Sequence, residues 1–151
     1  MSPMLKAHRK EAMRGNGAEL RDPTNFSVRT THGEWEWIKS VAEDCGNTLA
    51  VFVNAAVESW LDPSVDIPRY IHMPPSGSIK RAVQVERDIV RRAESATLLD
   101  REARPLSLHR SDVVMSAILS YAQAYMDENP LLAGRIVADA ARPALEAKLA
   151  A

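Results

Sequence analysis

The chain has 151 residues, 46% hydrophobic and 26% charged, which fits one globular domain or two very small ones and excludes wholesale disorder. Nineteen basic against twenty acidic residues give a net charge of −1, excluding polyanion binding by bulk charge but not a local basic face. The single cysteine, Cys45, excludes an internal disulfide framework and a cysteine-based zinc cluster. Residues 1–24 carry Lys6, Arg9, Lys10 and Arg14 around Gly15-Asn16-Gly17, with weak periodicity, and read as a flexible basic arm. In the next six residues Phe26 and Val28 alternate with Asn25, Ser27 and Arg29, the pattern of a short half-buried strand. Thr31 is placed to cap a helix starting near Gly33, with Glu34 and Glu36 in its first turn. Its apolar face is Trp35, Ile38, Val41, Ala42 and Cys45, and Gly46 is placed to end it in the left-handed conformation. Thr48 caps a second helix with the face Phe52, Val53, Ala56, Val57 and Trp60, stopped by Asp62-Pro63.

Residues 62–78 include four prolines and no usable periodicity, so they are predicted to be a linker, extended in part. Two readings fit the segment after it. Ile79, Arg81, Val83 and Val85 alternate with Lys80, Ala82 and Gln84, as in a strand followed by a helix; alternatively, Ser78 caps one long helix to Ala103. The β-branched residues near its start favour the strand. Pro105 closes the following helix. A further helix runs from Arg110 to Asp127 with Val113, Val114, Ala117, Ile118, Tyr121 and Tyr125 on one face. Residues 128–151 are alanine-rich and predicted to be a helical extension kinked or split at Pro143.

Charge alternates along the chain, with a net of +3 over residues 1–31, −4 over 32–61 and +3 over 79–110. Such alternation suits a molecule that turns one electropositive side to a polyanion, and equally a set of solvated helix faces. A weak internal repeat accompanies it. A shift of 61 lays Phe52 on Val113, Val53 on Val114, Ala56 on Ala117, Val57 on Ile118, Ser59 on Ser120 and Trp60 on Tyr121, and a shift of 57 lays Phe26 on Val83 and Val28 on Val85.

Residues 25–61, NFSVRTTHGEWEWIKSVAEDCGNTLAVFVNAAVESWL, resemble a ribbon-helix-helix DNA-binding unit of the Arc/MetJ superfamily: a short strand, a helix ending at Glu43-Asp44-Cys45-Gly46, and a capped second helix. Residues 79–127, with LHRSDVVMSAILSY, resemble a second unit, as in tandem single-chain members of conjugation and T-DNA transfer systems. The resemblance implies a mainly α fold with a two-stranded antiparallel β-ribbon that enters the DNA major groove. It implies base contacts from Asn25, Ser27 and Arg29, and from Lys80, Ala82 and Gln84, with phosphates held at Thr48, Leu49 and Ala50 and at Arg110 and Ser111. Glu86, where Arg29 stands in the first unit, is unfavourable beside phosphates and puts the second strand's register in question. The ribbon forms either within one chain, as a monomeric pseudo-dimer, or between two chains of a homodimer whose residues 79–151 are accessory.

The expected function is sequence-specific binding of double-stranded DNA, as a transcriptional repressor or a transfer-origin accessory protein, with no catalytic activity and no cofactor. The alternative is a protein-interaction module such as an antitoxin, whose C-terminal helix would bind a toxin. His8, His32, His72 and His109 lack metal-ligand spacing, Gly15-Asn16-Gly17 is no phosphate loop, and no nucleophile elbow is present. Cys45 reads as packing, and Trp37, two residues from Trp35, as a half-buried aromatic or a cover for the linker or a partner. With no apolar run long enough to span a membrane and no secretory signal, a cytoplasmic location is expected.

Overall fold

The alternation at Phe26 and Val28 forms strand β1 (Pro23–Thr30), which begins two residues earlier than the alternation alone suggests. Pro23 is tolerated there because the first residue of a strand need not donate an N–H. The computed structural model describes residues 20–72, 76–95 and 109–129, and the backbone of 147–148. The basic arm up to residue 19 therefore lies outside the described residues. Phe26, Val28 and Thr30 are buried, whereas Asn25, Ser27 and Arg29 are exposed.

Helix α1 (His32–Asp44) starts at a capping box: Thr31 Oγ1 accepts from the Glu34 N–H at 3.1 Å, and Glu34 Oε1 accepts from the Thr31 N–H at 2.8 Å. Gly46 follows its end with φ 78°, a conformation that glycine adopts without a Cβ penalty. Helix α2 (Leu49–Leu61) is capped by Thr48, whose Oγ1 accepts from the Val51 N–H at 3.2 Å.

The segment after α2, predicted to be a partly extended linker, packs into the body. Val65, Ile67 and Ile71 are buried, and Tyr70–Ile71 form the short strand β2. The N–H groups of Tyr70 and His72 donate to the Ser120 and Ser116 hydroxyls, each at 2.9 Å. Its prolines limit regular structure to β2, but its apolar residues and backbone groups still require burial and partners.

Strand β3 (Ile79–Glu86) is followed by helix α3 (Arg87–Ser95), so the strand reading holds over the long helix. The closure expected at Pro105 lies outside the described residues. Helix α4 (Arg110–Asp127) has the expected bounds, but its burial is wider than one face: Asp112 through Met126 are all buried. It lies against β1, α1, α2, α3 and β2, so it occupies the centre of the fold, where a helix needs no solvent face. Trp37, read from the sequence as a half-buried aromatic or a cover for the linker or a partner, is fully buried, with its indole N–H directed at Met126 of α4. The second half of the chain covers that side of α1. Most of the predicted C-terminal helix lies outside the described residues. Ala147–Lys148, however, form strand β4, paired antiparallel with β2.

β1 and β3 pair antiparallel over their whole length, from Pro23 opposite Glu86 to Thr30 opposite Ile79. One chain thus contributes both strands of a two-stranded ribbon. Each strand packs on the later helix of the other half, β1 on α4 and β3 on α2, and these two helices pack on each other. Phe52 meets Tyr121 edge to face, with centroids 5.3 Å apart. The fold is mainly helical: four helices, among the described residues, behind a two-stranded antiparallel ribbon.

Candidate nucleic-acid interface

Period-two alternation fixes which side chains leave the body. On β1 these are Asn25, Ser27 and Arg29; on β3 they are Lys80, Ala82 and Gln84, and all six are exposed. The register sets them directly opposite in pairs: Asn25 with Gln84, Ser27 with Ala82, Arg29 with Lys80. Val83 and Val85 face inward with Phe26 and Val28, closing the apolar side. The six residues singled out in the sequence for base contact therefore share one outward face.

Its two ends differ electrostatically. Among the described residues, neither Arg29 nor Lys80 forms an ion pair. At the other end the acidic groups are engaged: Glu86 Oε1 accepts from the Arg21 N–H at 2.6 Å, and Asp22 pairs with Arg87 at 3.3 Å. Glu86 stands opposite Pro23, not beside the exposed cations, which resolves its place in the register.

Arg110 and Ser111 at the start of α4 line, with Asn25, Phe26, Ser27, Glu94 and His109, a cleft of about 690 Å³ beside β1. The Arg110 guanidinium is held there by Glu94 and lies 5.5 Å over the Phe26 ring. Thr48, Leu49 and Ala50 form the start of α2, where Thr48 is exposed and the other two are partly buried, and Thr48 and Leu49 line a second cleft with Lys39, Glu43 and Asn47. The structure thus brings Arg110 and Ser111 to a cleft beside β1, and sets Ala50 near β3, its carbonyl accepting at 2.7 Å from the same Asn54 Nδ2 that donates to the Gln84 carbonyl.

Several positioning residues escaped the sequence reading. Asn54 on α2 fastens β3: its Nδ2 donates to the Gln84 carbonyl at 2.9 Å and its Oδ1 accepts from the Glu86 N–H at 2.8 Å. Arg81, on the inner side opposite Val28, lies 5.8 Å over the Trp35 ring. Glu34 accepts from the Thr30 hydroxyl at 3.1 Å and from His72 Nε2 at 2.6 Å, so the end of β1, the cap of α1 and the segment after β2 meet at one buried carboxylate. Burial raises the Glu34 pKa, but the hydrogen bond from His72, the Thr31 N–H, the His72 charge and the Thr30 hydroxyl outweigh it and hold the carboxyl below its ordinary value. Arg69 closes the end of α2, donating to the carbonyls of Ser59, Trp60 and Asp62 at 3.0, 2.9 and 2.7 Å. Burial lowers its pKa, opposed by Asp62 and Asp66. The contrast of Asn54 with Met115 under the 61-residue shift was available in the sequence; the partners of Glu34 and Arg69 were not, because they depend on the path of a proline-rich segment.

No family model, curated protein or solved structure matches this chain.

Proposed function

We propose that the chain is a ribbon-helix-helix protein with two tandem units, β1-α1-α2 and β3-α3-α4, and that it binds double-stranded DNA as a monomeric pseudo-dimer. The observation that carries this reading is the intrachain ribbon whose exposed face gathers Asn25, Ser27, Arg29, Lys80, Ala82 and Gln84. Those side chains supply the amides, hydroxyl and cations that hydrogen-bond base edges, on an element whose width suits the major groove. The two-unit reading is supported by the Phe26–Val83 pairing and by the packing of each strand on the other unit's second helix. Arg110 and the start of α4 are suited to a flanking phosphate, and the start of α2 to another. The role is transcriptional repression or accessory binding at a transfer origin, carried out in the cytoplasm.

Fluorescence anisotropy of a labelled duplex in a series of salt concentrations tests the reading. The cations on and beside the face, Arg29, Lys80 and Arg110, predict an affinity that falls as salt rises, with a negative slope of log affinity against log salt. A slope near zero, or no binding at low salt, would contradict it.

A further inference from the structure

A ribbon built from two identical chains repeats its residues about a dyad and therefore reads a palindrome. Here one chain supplies both strands, and the outward residues do not repeat. About the central Phe26–Val83 pair, Asn25 and Gln84 stand on one side where Ser27 and Ala82 stand on the other. One step further out, Pro23 and Glu86 stand on one side where Arg29 and Lys80 stand on the other. The ribbon thus runs from an amide end to a cationic end, with two small side chains between.

Resting on the DNA-binding reading above, we propose that this ribbon recognises an asymmetric duplex site, with an A·T pair under Asn25 and Gln84 and a G·C pair under Arg29 and Lys80. Gln84 Nε2 donates to Asn25 Oδ1 across the ribbon. That bond leaves Asn25 Nδ2 as a donor and Gln84 Oε1 as an acceptor with no other partner among the described residues. Adenine offers the complement in the major groove, an N7 acceptor beside an N6 donor, so the coupled amides act as one reader of one base. At the other end Arg29 matches the two acceptors of guanine, O6 and N7, and Lys80 beside it adds a second cation. Ser27 and Ala82 leave room between them for a thymine methyl. From residue 25 to residue 29 a strand advances about 14 Å, and duplex DNA rises about 3.4 Å per pair, so the two readings fall about four base pairs apart. The Glu86 carboxylate, which accepts from the Arg21 backbone N–H, stands at the amide end in the outward position that Arg29 or Lys80 occupies at the other, and adds to the polarity.

The test is selection of binding sites by the full chain from a duplex library with a randomised core, followed by affinity measurements on the selected site and on its two palindromic derivatives, each made by mirroring one half. The expected motif is non-palindromic, with the A·T and G·C preferences about four pairs apart, and each palindrome binds about ten-fold more weakly. Arg29→Ala is expected to abolish preference at the G·C end alone, and the pair Asn25→Ala with Gln84→Ala at the A·T end alone. A palindromic motif, or salt-sensitive binding with no base preference, overturns the asymmetric reading and leaves DNA binding standing. Absence of any duplex binding overturns both.

Discussion

Replacing Glu34 by Ala tests how the ribbon is tied to the body. The residue is 6% exposed and its partner His72 is 3% exposed, and the carboxylate accepts from the Thr31 N–H, the Thr30 hydroxyl and His72 Nε2. Truncation removes a capping interaction of about 1 kcal/mol and strands a buried imidazole. Breaking a buried pair by removing one member costs about 3–5 kcal/mol, and the shared bonds are not additive, so about 4 kcal/mol is expected in all. For a chain of this size that lowers the melting temperature by roughly 10 °C. Glu34→Gln, which keeps an acceptor for the cap, is expected to lose less than half as much. The pH dependence has a defined sign. The folded-state pKa of Glu34 lies below its ordinary value of 4.5, so its contribution is complete above about that pH and disappears as pH falls through the lower folded value. The melting deficit of Glu34→Ala, followed by circular dichroism, should therefore be full at pH 7 and shrink as pH falls below 4.5 through the lower folded value. A deficit of less than about 2 °C at pH 7, or one unchanged on acidification, would refute the reasoning.

Other substitutions probe the rest of the body. Arg69→Met leaves the last carbonyls of α2 without their donor and should cost about 2–4 kcal/mol in urea unfolding with an unchanged m value; no change in midpoint would contradict that capping role. Trp37→Ala empties a fully buried site between α1 and α4 and should cost about 3–5 kcal/mol, with Trp37→Phe milder; equal stability of all three proteins would mean that α4 does not cover α1. Cys45, 3% exposed in the core, should react with a thiol reagent only through opening of the structure, at a rate that rises with denaturant; rapid native-state labelling would place it at the surface.

Elements with punctuation of their own were legible in the sequence. Thr31, Gly46 and Thr48 bound α1 and α2 through local capping geometry, which requires no knowledge of distant residues. Alternation marked β1 and its outward side chains and favoured, over a long helix, the strand at residues 79–86, because a period of two assigns faces without reference to the partner. The pairing itself was left open between one chain and two, since nothing local distinguishes a strand in the same chain from one in a twin. The burial of Trp37 and the central place of α4 were not legible for the same reason: both follow from the second half lying over the first. Ser116 and Ser120, four residues apart on α4, carried a further signal, for two hydroxyls on the apolar middle of that helix need hydrogen-bond partners once buried, and they meet the N–H groups of His72 and Tyr70.

The account depends on the exposed face of one chain's ribbon engaging a duplex. The direct measurement is sedimentation of the full chain with a short selected duplex, for the wild type and for Arg29→Ala with Lys80→Ala, whose side chains are exposed and outside the core. One 16.7 kDa chain per duplex is predicted for the wild type, with affinity reduced at least about ten-fold in the double variant and an unchanged circular dichroism spectrum. Binding by the double variant at full affinity, or only by pairs of chains, would contradict it.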